Sequence, residues 1–488
     1  MLIGIDLGTT GLKAAVYDLS GKCLALSSAR LPLQTGADGR REQDPEAVLS
    51  SLESVFTALR EKTGSRWAEV SGIGLAAQGG STLMVERDSG RCLSPMYLWN
   101  DFRCLPFFVR LKEQYPPEFW RSFSLRDDPG VGLARIQWMR EQNPDLFAKG
   151  NLYIGAGELV FHRLTGVWRQ DACHALQSGC YDGVNGSLTQ TPLDIVDLDC
   201  SFFAPLRDRH AVSPLEKETA ERLGLPAGIP VAGPYNDHEA GYLSVMHLSK
   251  RPLECSLGTA WVGNFVLEHG FKNGSGIQLP IPAPAGKGQL IIQPLLTGCL
   301  TWDWALSQFV HEDHRESIRL AGELLSKDLL PPEGLLCLPW LNRPNTLGKG
   351  LGAGVLFGMG PATSREDLLR AVASGLVLEF ARVFDPVYRA GVVDSLILCG
   401  GSGQAGHFQK LFATLFASCP VYIPDGDSMG TRGCLYALDP AVARVEAKLF
   451  DGERVQDTGR LMEMKQLYNK LFEKLYSEDP AGRPFSID

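Results

Sequence analysis

Short apolar runs broken by glycine-rich turns open the chain. Leu2 to Ile5 has the pattern of a β-strand, Gly8-Thr9-Thr10-Gly11 supplies a turn, and Leu12 to Tyr17 forms a second strand. Another turn, Asp18 to Lys22, leads into a third strand, Cys23 to Ala29. The apolar period then changes. Asp44-Pro45 supplies a helix cap and a first-turn proline, and Val48, Leu52, Val55, Phe56 and Leu59 follow at helical spacing. Val70 to Ala76 predicts a buried strand. Residues 104–150 predict mostly helix, with loops at Pro116-Pro117 and Pro129-Gly130.

The opening pattern returns in the second half. After a strand at Ile229 to Ala232 and a helix from His238 to about Leu248, Glu254 to Leu257, Gly258-Thr259 and Val262 to Leu267 again read strand, turn, strand. Asp6-Leu7-Gly8-Thr9 matches Ser256-Leu257-Gly258-Thr259, and the shared hairpin context predicts an internal duplication. The repeat divides the chain near residue 236 or 250, and we expect domains at 1–236 and 237–488. The later half adds a long helix, Arg365 to about Arg389, and a strand, Ser395 to Leu398. A glycine loop, Gly400 to Gly406, a helix to about Ala417 and a strand, Val421 to Ile423, follow. Arg460 to Tyr476 predicts a charged, solvated surface helix.

Composition narrows the classes of function. The chain has 488 residues with a net charge of −9, which disfavours nucleic acids and anionic membranes as partners. No apolar run approaches the ~20 residues of a membrane helix. The twelve cysteines contain no C-x-x-C, so zinc ribbons and redox motifs find no support. No secretory leader pattern follows Met1, and reduced thiols in a cytoplasmic protein are the expectation. Glycine, at 53 residues, exceeds the usual ~7% and predicts close backbone approach to ligands.

Candidate chemistry lies at the turns. Paired strand–Gly-Thr–strand hairpins offer backbone N–H groups and threonine hydroxyls to phosphates, and Asp6 suits a Mg²⁺ site better than a phosphate. Asp237 falls between a strand end and a helix start, where it reads either as a helix cap or as a catalytic carboxylate. Gly401-Ser402-Gly403-Gln404-Ala405-Gly406, with Asp425 about twenty residues on, matches the dinucleotide fingerprint and opens an NAD(P)-dependent oxidoreductase alternative. A glycine loop gripping the adenosine of ATP explains the two hairpins as well. Trp99-Asn100-Asp101-Phe102-Arg103 can orient a polyhydroxylated ligand, or form a surface loop with an internal ion pair. Glu42-Gln43-Asp44-Pro45 reads equally as part of that site or as a capped helix start.

Gly4-Ile5-Asp6-Leu7-Gly8-Thr9-Thr10 resembles the first phosphate motif of actin-like ATPases. With Glu42 to Pro45, Trp99-Asn100-Asp101-x-Arg103, the Asp237 segment and Ser256 to Thr259, the chain resembles the FGGY carbohydrate kinases, in which sugars and polyols accept the γ-phosphate of ATP. Segments from Leu338 to Arg343, Gly350 to Arg370 and Leu396 to Ala437 continue the likeness. The resemblance implies an α/β fold of two ribonuclease H-like (actin-like ATPase) lobes around a central cleft, whose closure would exclude water. It implies Asp6 at a Mg²⁺ site, and Gly8, Thr9, Thr10, Gly258 and Thr259 at phosphates. Gly400, Gly401 and Ser402 match the adenosine loop, Asp237 the catalytic base, and Gln78, Asp101 and Arg103 sugar contacts. The wording of the Trp99 motif resembles that of xylulokinases and points to a pentulose such as xylulose or ribulose. Two departures stand out. Gly79-Gly80-Ser81 follows Gln78, where ketopentose kinases of the family carry Met-His-Gly and glycerol kinases Arg-Glu. Cys399 replaces the first glycine of the adenosine loop. Glycerol, erythritol, a hexulose or a sugar acid are the alternative substrates, a non-catalytic ATPase is a different-class reading, and a homodimer is the candidate assembly.

Overall fold

The two Gly-Thr hairpins begin two sheets of the same design. A computed structural model describes residues 1–268, 277–295, 297–341, 354–426 and 429–476. The chain separates into two compact units, the first being Met1–His247 with Glu268–Leu290 and Ser428–Val445, the second Leu248–Leu267, Ile291–Asp427 and Glu446–Asp488. The division after His247 lies near the later of the two repeat-based boundaries; strand Pro230–Asn236 runs directly into helix Asp237–Val245 within the first unit.

In the first unit, strand Leu2–Leu7 pairs antiparallel with Gly11–Tyr17 and parallel with Gly72–Ala77. Pro230–Asn236 pairs parallel with Gly72–Ala77, and Cys23–Arg30 pairs antiparallel with Gly11–Tyr17. In chain order the central strands therefore lie third, second, first, fourth, fifth, with Val212–Pro214 added at the edge. This is the ribonuclease H-like arrangement expected from the sequence. Helix Pro45–Thr63 covers one face. Asp44 caps it by accepting from the Glu46 amide at 3.0 Å, and Val48, Leu52, Val55, Phe56 and Leu59 are its buried stripe. Such a cap contributes about 1 kcal/mol.

The second unit repeats the order. Pro252–Leu257 pairs antiparallel with Trp261–Leu267 and parallel with Ser395–Cys399, which pairs parallel with Val421–Pro424. Gln289–Pro294 lies beyond Trp261–Leu267. Equal order, and equal directions of the first, second, fourth and fifth strands, support the duplication inferred from three identical residues, because a chance match of hairpin residues would not carry the fourth and fifth strands with it.

The breaks expected at the prolines are present: helix Leu105–Gln114 stops before Pro116, Pro117–Ser124 begins with a proline in its first turn, and residues 125–129 separate it from helix Gly130–Gln142. Two expectations change. The terminal helix, Thr458–Tyr476, is not merely solvated: Leu461, Met464, Tyr468 and Phe472 are buried, Phe472 and Tyr476 pack edge-on against Trp340, and the Tyr468 hydroxyl donates to Glu379 at 3.1 Å. Glu463, Lys470, Glu473 and Lys474 lie exposed, while Lys465 is buried and pairs with Asp385 at 2.6 Å. The dinucleotide reading fails on the geometry of the loop. The strand before the glycine loop, Ser395–Cys399, does lie between two parallel neighbours, but Gly401–Gln404 is a separate 3₁₀ turn before helix Gly406–Leu415, where the fingerprint would open the helix itself, and the first strand of the unit is the one that forms the Gly258-Thr259 hairpin. Asp425 pairs with Lys448 at 3.2 Å. Arg343 and Gly350, cited for the family likeness, lie outside the described residues.

Candidate active site

Ligands of α/β sheets bind beyond the carboxyl ends of the strands. In the first unit three neighbouring parallel strands end in register. Leu7 lies opposite Ala77, and Ala77 opposite Asn236. The residues that follow are Gly8-Thr9-Thr10, Gln78-Gly79-Gly80 and Asp237. The sheet thus brings together three segments the sequence singled out separately.

Hydrogen bonds fix the orientation of this cluster. Gln78 Oε1 accepts from the Thr9 hydroxyl at 2.9 Å and from the Ser81 hydroxyl at 3.0 Å. The hydroxyl protons must point this way, because Thr9 Oγ1 receives Trp99 Nε1–H at 3.1 Å and Ser81 Oγ receives the Trp99 amide at 3.1 Å. Gln78 Nε2 is left buried without a partner, in a residue only 5% exposed. Gln43 Nε2 donates to the Thr9 carbonyl at 2.8 Å, and its Oε1 is likewise buried without a partner. Burying an unsatisfied polar atom costs about 1–3 kcal/mol, which a ligand can recover. Thr9 spends its hydroxyl inside this network, so a phosphate grip here rests on the turn's N–H groups and on Thr10, which is exposed.

The Glu42-Gln43-Asp44 run divides its labour: Asp44 caps, Gln43 holds Thr9, and Glu42 pairs with Arg103 at 2.5 Å. Arg103 also binds Asp101 through Nε at 3.0 Å and Nη2 at 2.6 Å, and its guanidinium lies over Trp138 at 4.6 Å. Asp101 further accepts from the amides of Arg41 at 3.0 Å and Arg103 at 3.2 Å. A carboxylate offers about four acceptor positions. All are taken, and Asp101 is 2% exposed. In this arrangement it positions Arg103 and has no acceptor left for a sugar hydroxyl.

Asn236 takes the cap position ahead of Asp237. Asn236 is the helix cap, its Oδ1 accepting from the His238 amide at 3.0 Å, and Asp237 occupies the first helical position. Asp237 Oδ1 accepts from the same amide at 3.0 Å, and among the described residues no hydrogen bond to Oδ2 is present. Asp6 is the next-to-last residue of the opening strand, and a Cβ on Gly430 would collide with its carboxylate, so the glycine makes room for it.

The second unit gathers its own strand-end loops. Gly400 has φ +82°, and a Cβ there would lie 3.0 Å from the Leu257 carbonyl, just before Gly258. Glycine is needed for both reasons. Ser402 Oγ lies 3.1 Å from Cys299 Sγ, while the amides of Cys299 and Leu300 donate to the Gly258 and Thr259 carbonyls at 3.2 and 3.3 Å. Gly258, Thr259, Gly400, Gly401 and Ser402 thus share one corner with the start of helix Cys299–Phe309. Burial raises the Cys299 thiol, which keeps it neutral there.

Two duplicated ribonuclease H-like sheets with these strand-end loops are matched by two family models. The FGGY carbohydrate kinase N-terminal domain covers residues 1–244 and the C-terminal domain residues 292–438.

The chain belongs to the FGGY family of carbohydrate kinases.

It is similar to the xylulose kinase of Escherichia coli (strain K12), at 25% identity over 433 residues, 88% of this chain and 87% of that protein. The structure of xylulose kinase from Rhodospirillum rubrum superposes with TM-score 0.85 at 19% identity, covering 97% and 99% of the two chains. That of gluconate kinase from Lactobacillus acidophilus gives 0.83 at 20%, covering 98% of each. These structural likenesses establish the fold. The kinase is a phosphotransferase that draws on ATP, as FGGY kinases do. Among the described residues no helix is long and apolar enough to cross a membrane.

Two residues beside these loops escaped the sequence reading. Arg135, buried in helix Gly130–Gln142, donates to the Gly80 and Leu98 carbonyls at 2.7 and 2.8 Å and so ties the two loops together. Gln177 lies against Gly79 and Gly80. Neither carries a local motif, and only tertiary contact reveals them. Behind the site, Asp171 is pushed up to about 6 by burial and then by the Glu239 charge, while burial raises Glu158 well above the usual carboxylate range and lowers His174 to about 3. Glu239 itself pairs with Arg207 at 2.7 Å.

Proposed function

We propose that this kinase phosphorylates a pentulose, xylulose or ribulose, with Asp237 as general base. The observation that carries the sugar site is the pair of buried, unpartnered amide atoms flanking Thr9. Gln78 Nε2 is a donor and Gln43 Oε1 an acceptor. A sugar hydroxyl both accepts and donates, and satisfies such a pair. Trp99, half-exposed beside them, offers a ring face to the carbon skeleton. The Trp-Asn-Asp-x-Arg wording and the likeness to a named xylulose kinase support a pentulose over other polyols.

Phosphoryl transfer depends on alignment and charge neutralisation more than on covalent chemistry. Asp237, held by its Oδ1 to the His238 amide, takes the proton of the attacking hydroxyl on Oδ2. In the first unit the N–H groups of the Gly8-Thr9-Thr10 turn, and in the second those of the Gly258-Thr259 turn, are each suited to donate to phosphate oxygens. Gly400, Gly401 and Ser402 hold the adenosine, with helix Cys299–Phe309 adding its positive end. Gln78 meets the sugar, and Arg103, locked by Asp101 and Glu42, supports the loop that holds it. Asp6 fits a Mg²⁺ ion. No cluster of three metal-ligating side chains exists among the described residues, and Mg²⁺ is commonly held by one or two carboxylates plus substrate phosphates. When bound, the ion neutralises phosphate charge.

A coupled assay of ADP release over ketopentoses, glycerol, aldohexoses and sugar acids tests the substrate. The highest kcat/KM is expected with xylulose or ribulose. A maximum with glycerol or an aldohexose overturns the pentulose assignment. A maximum with a sugar acid would favour the second reading, to which the likeness to a gluconate kinase structure lends support.

A further inference from the structure

The strand that delivers Asp237 is irregular just before it. Strand Pro230–Asn236 pairs with Gly72–Ala77 up to Ala232 opposite Gly74, and again from Tyr235 opposite Ala76. Gly233 and Pro234 therefore share the single residue Leu75 as their opposite number, which is a β-bulge. Gly233, at φ +106°, approaches so closely that a Cβ there would collide with the Leu75 carbonyl. A bulge disrupts the ladder and bends its strand, so regular pairing does not fix the two residues from which Asp237 takes its direction.

Two arginines hold the bulge instead. Arg169 Nη2 donates to the Gly233 carbonyl, and Arg207 Nη1 to the Pro234 carbonyl. Arg207 also reaches past the end of the strand. Its Nη2 donates to both carboxylate oxygens of Glu239, at 2.7 and 2.9 Å, and its guanidinium lies 4.0 Å from the centre of the Tyr235 ring. Pro234 is three residues before Asp237, and Glu239 is two after it, in the first turn of helix Asp237–Val245. One planar fork thus spans the strand–helix junction. The clamp is itself anchored: Arg207 Nε donates to the Arg209 carbonyl at 2.5 Å, and the Arg207 amide to the Gln170 carbonyl at 2.7 Å.

The side chains of Arg207 and Glu239 are both buried. A buried ion pair is a weak source of stability, since well-packed apolar residues of the same volume often do as well. What a guanidinium adds is fixed geometry. Asp237 needs it, because its Oδ1 is held only to the His238 amide of the same helix start, so the carboxylate goes where that junction goes. A base acts within hydrogen-bond reach of its proton, and a displacement of about 1 Å can cost ~10²-fold in rate.

We propose that Arg207, through its pairing with Glu239 and the Pro234 carbonyl, is a positioning residue for Asp237. It sets kcat by fixing the junction from which the carboxylate projects. This rests on the reading of Asp237 as general base and deepens it.

The test uses the full-length protein as wild type, Arg207→Lys, Arg207→Met/Glu239→Met, Asp237→Asn and Asp237→Asn/Arg207→Lys. ADP release is followed with whichever of xylulose, ribulose, glycerol and gluconate gives wild type its highest kcat/KM. Sugar and ADP dissociation constants come from calorimetry, and folding from thermal melting. Arg207→Lys keeps the charge and loses the fork, and should lower kcat at least tenfold with both dissociation constants within threefold of wild type. The double methionine variant removes the clamp without leaving a buried charge, and should lose kcat to at least the same extent. On the Asp237→Asn background, Arg207→Lys should change kcat less than threefold, because the group it positions is gone. A kcat within threefold of wild type in both clamp variants overturns the proposal. So does a loss of kcat accompanied by equal weakening of sugar and ADP and a lowered melting temperature, which marks a purely structural pair. A tenfold loss that recurs in full on the Asp237→Asn background overturns it as well, while the base reading stands. If Asp237→Asn alone keeps kcat within threefold of wild type, the base reading falls and takes this one with it.

Discussion

Asparagine in place of Asp237 separates the two roles this position can play. The cap belongs to Asn236, whose Oδ1 already accepts from the His238 amide at 3.0 Å, so the substitution leaves the helix start intact. What the helix loses is a negative charge in its first turn, worth about 0.3–1 kcal/mol. For a unit of this size that lowers the melting temperature by at most about 2–4 °C. The catalytic loss is of another order. Asparagine cannot take up the hydroxyl proton, and a positioned base contributes about 10²–10⁴-fold. At 1.36 kcal/mol per decade this is roughly 3–5 kcal/mol of barrier. ATP binding should be unchanged or slightly tighter, because a charge near the phosphates is gone. The measurements are kcat, the sugar and ATP dissociation constants, and the melting temperature, for wild type and Asp237→Asn. A kcat within about threefold of wild type would remove Asp237 from the chemistry, and a large drop in melting temperature would mean that the carboxylate holds the fold.

Asp101→Ala should raise the sugar KM at least tenfold while ADP affinity holds, because Arg103 keeps only Glu42; stability should fall by up to about 3–5 kcal/mol, as for a buried pair broken from one side. Equal weakening of sugar and nucleotide would refute a local role. Asp171→Asn should stabilise the protein at pH 7.5 and not at pH 4. The folded carboxyl is raised to about 6 from 3.8, so the wild type loses stability as pH rises through that window, by up to about 3 kcal/mol, and asparagine keeps the cap without the charge. A lower melting temperature for Asp171→Asn at pH 7.5 would show instead that attraction to Arg207 outweighs burial.

The sequence by itself determined the two hairpins, the helix after Asp44-Pro45, the duplication and the family. These are encoded locally: by apolar periods of two and 3.6, by glycine where the backbone turns, and by short motifs whose residues are chain neighbours. Strand order was legible only through the repeat, because pairing is long-range and no single strand specifies its partner. Tertiary structure alone decided how the polar residues are spent. Asp101 and Thr9 are a carboxylate and a hydroxyl open to any ligand when read along the chain. Folded, Asp101 has its acceptor positions filled by Arg103 and the Arg41 amide, and the Thr9 hydroxyl is committed to Gln78. Gln177 shows the converse. It sits in an unremarkable helix about one hundred residues from Gly79, and meets that loop only because two glycines leave their space to it. A hydrogen bond saturates, so which partner reaches a polar atom first decides what it can still do, and that is settled by residues far apart in the chain.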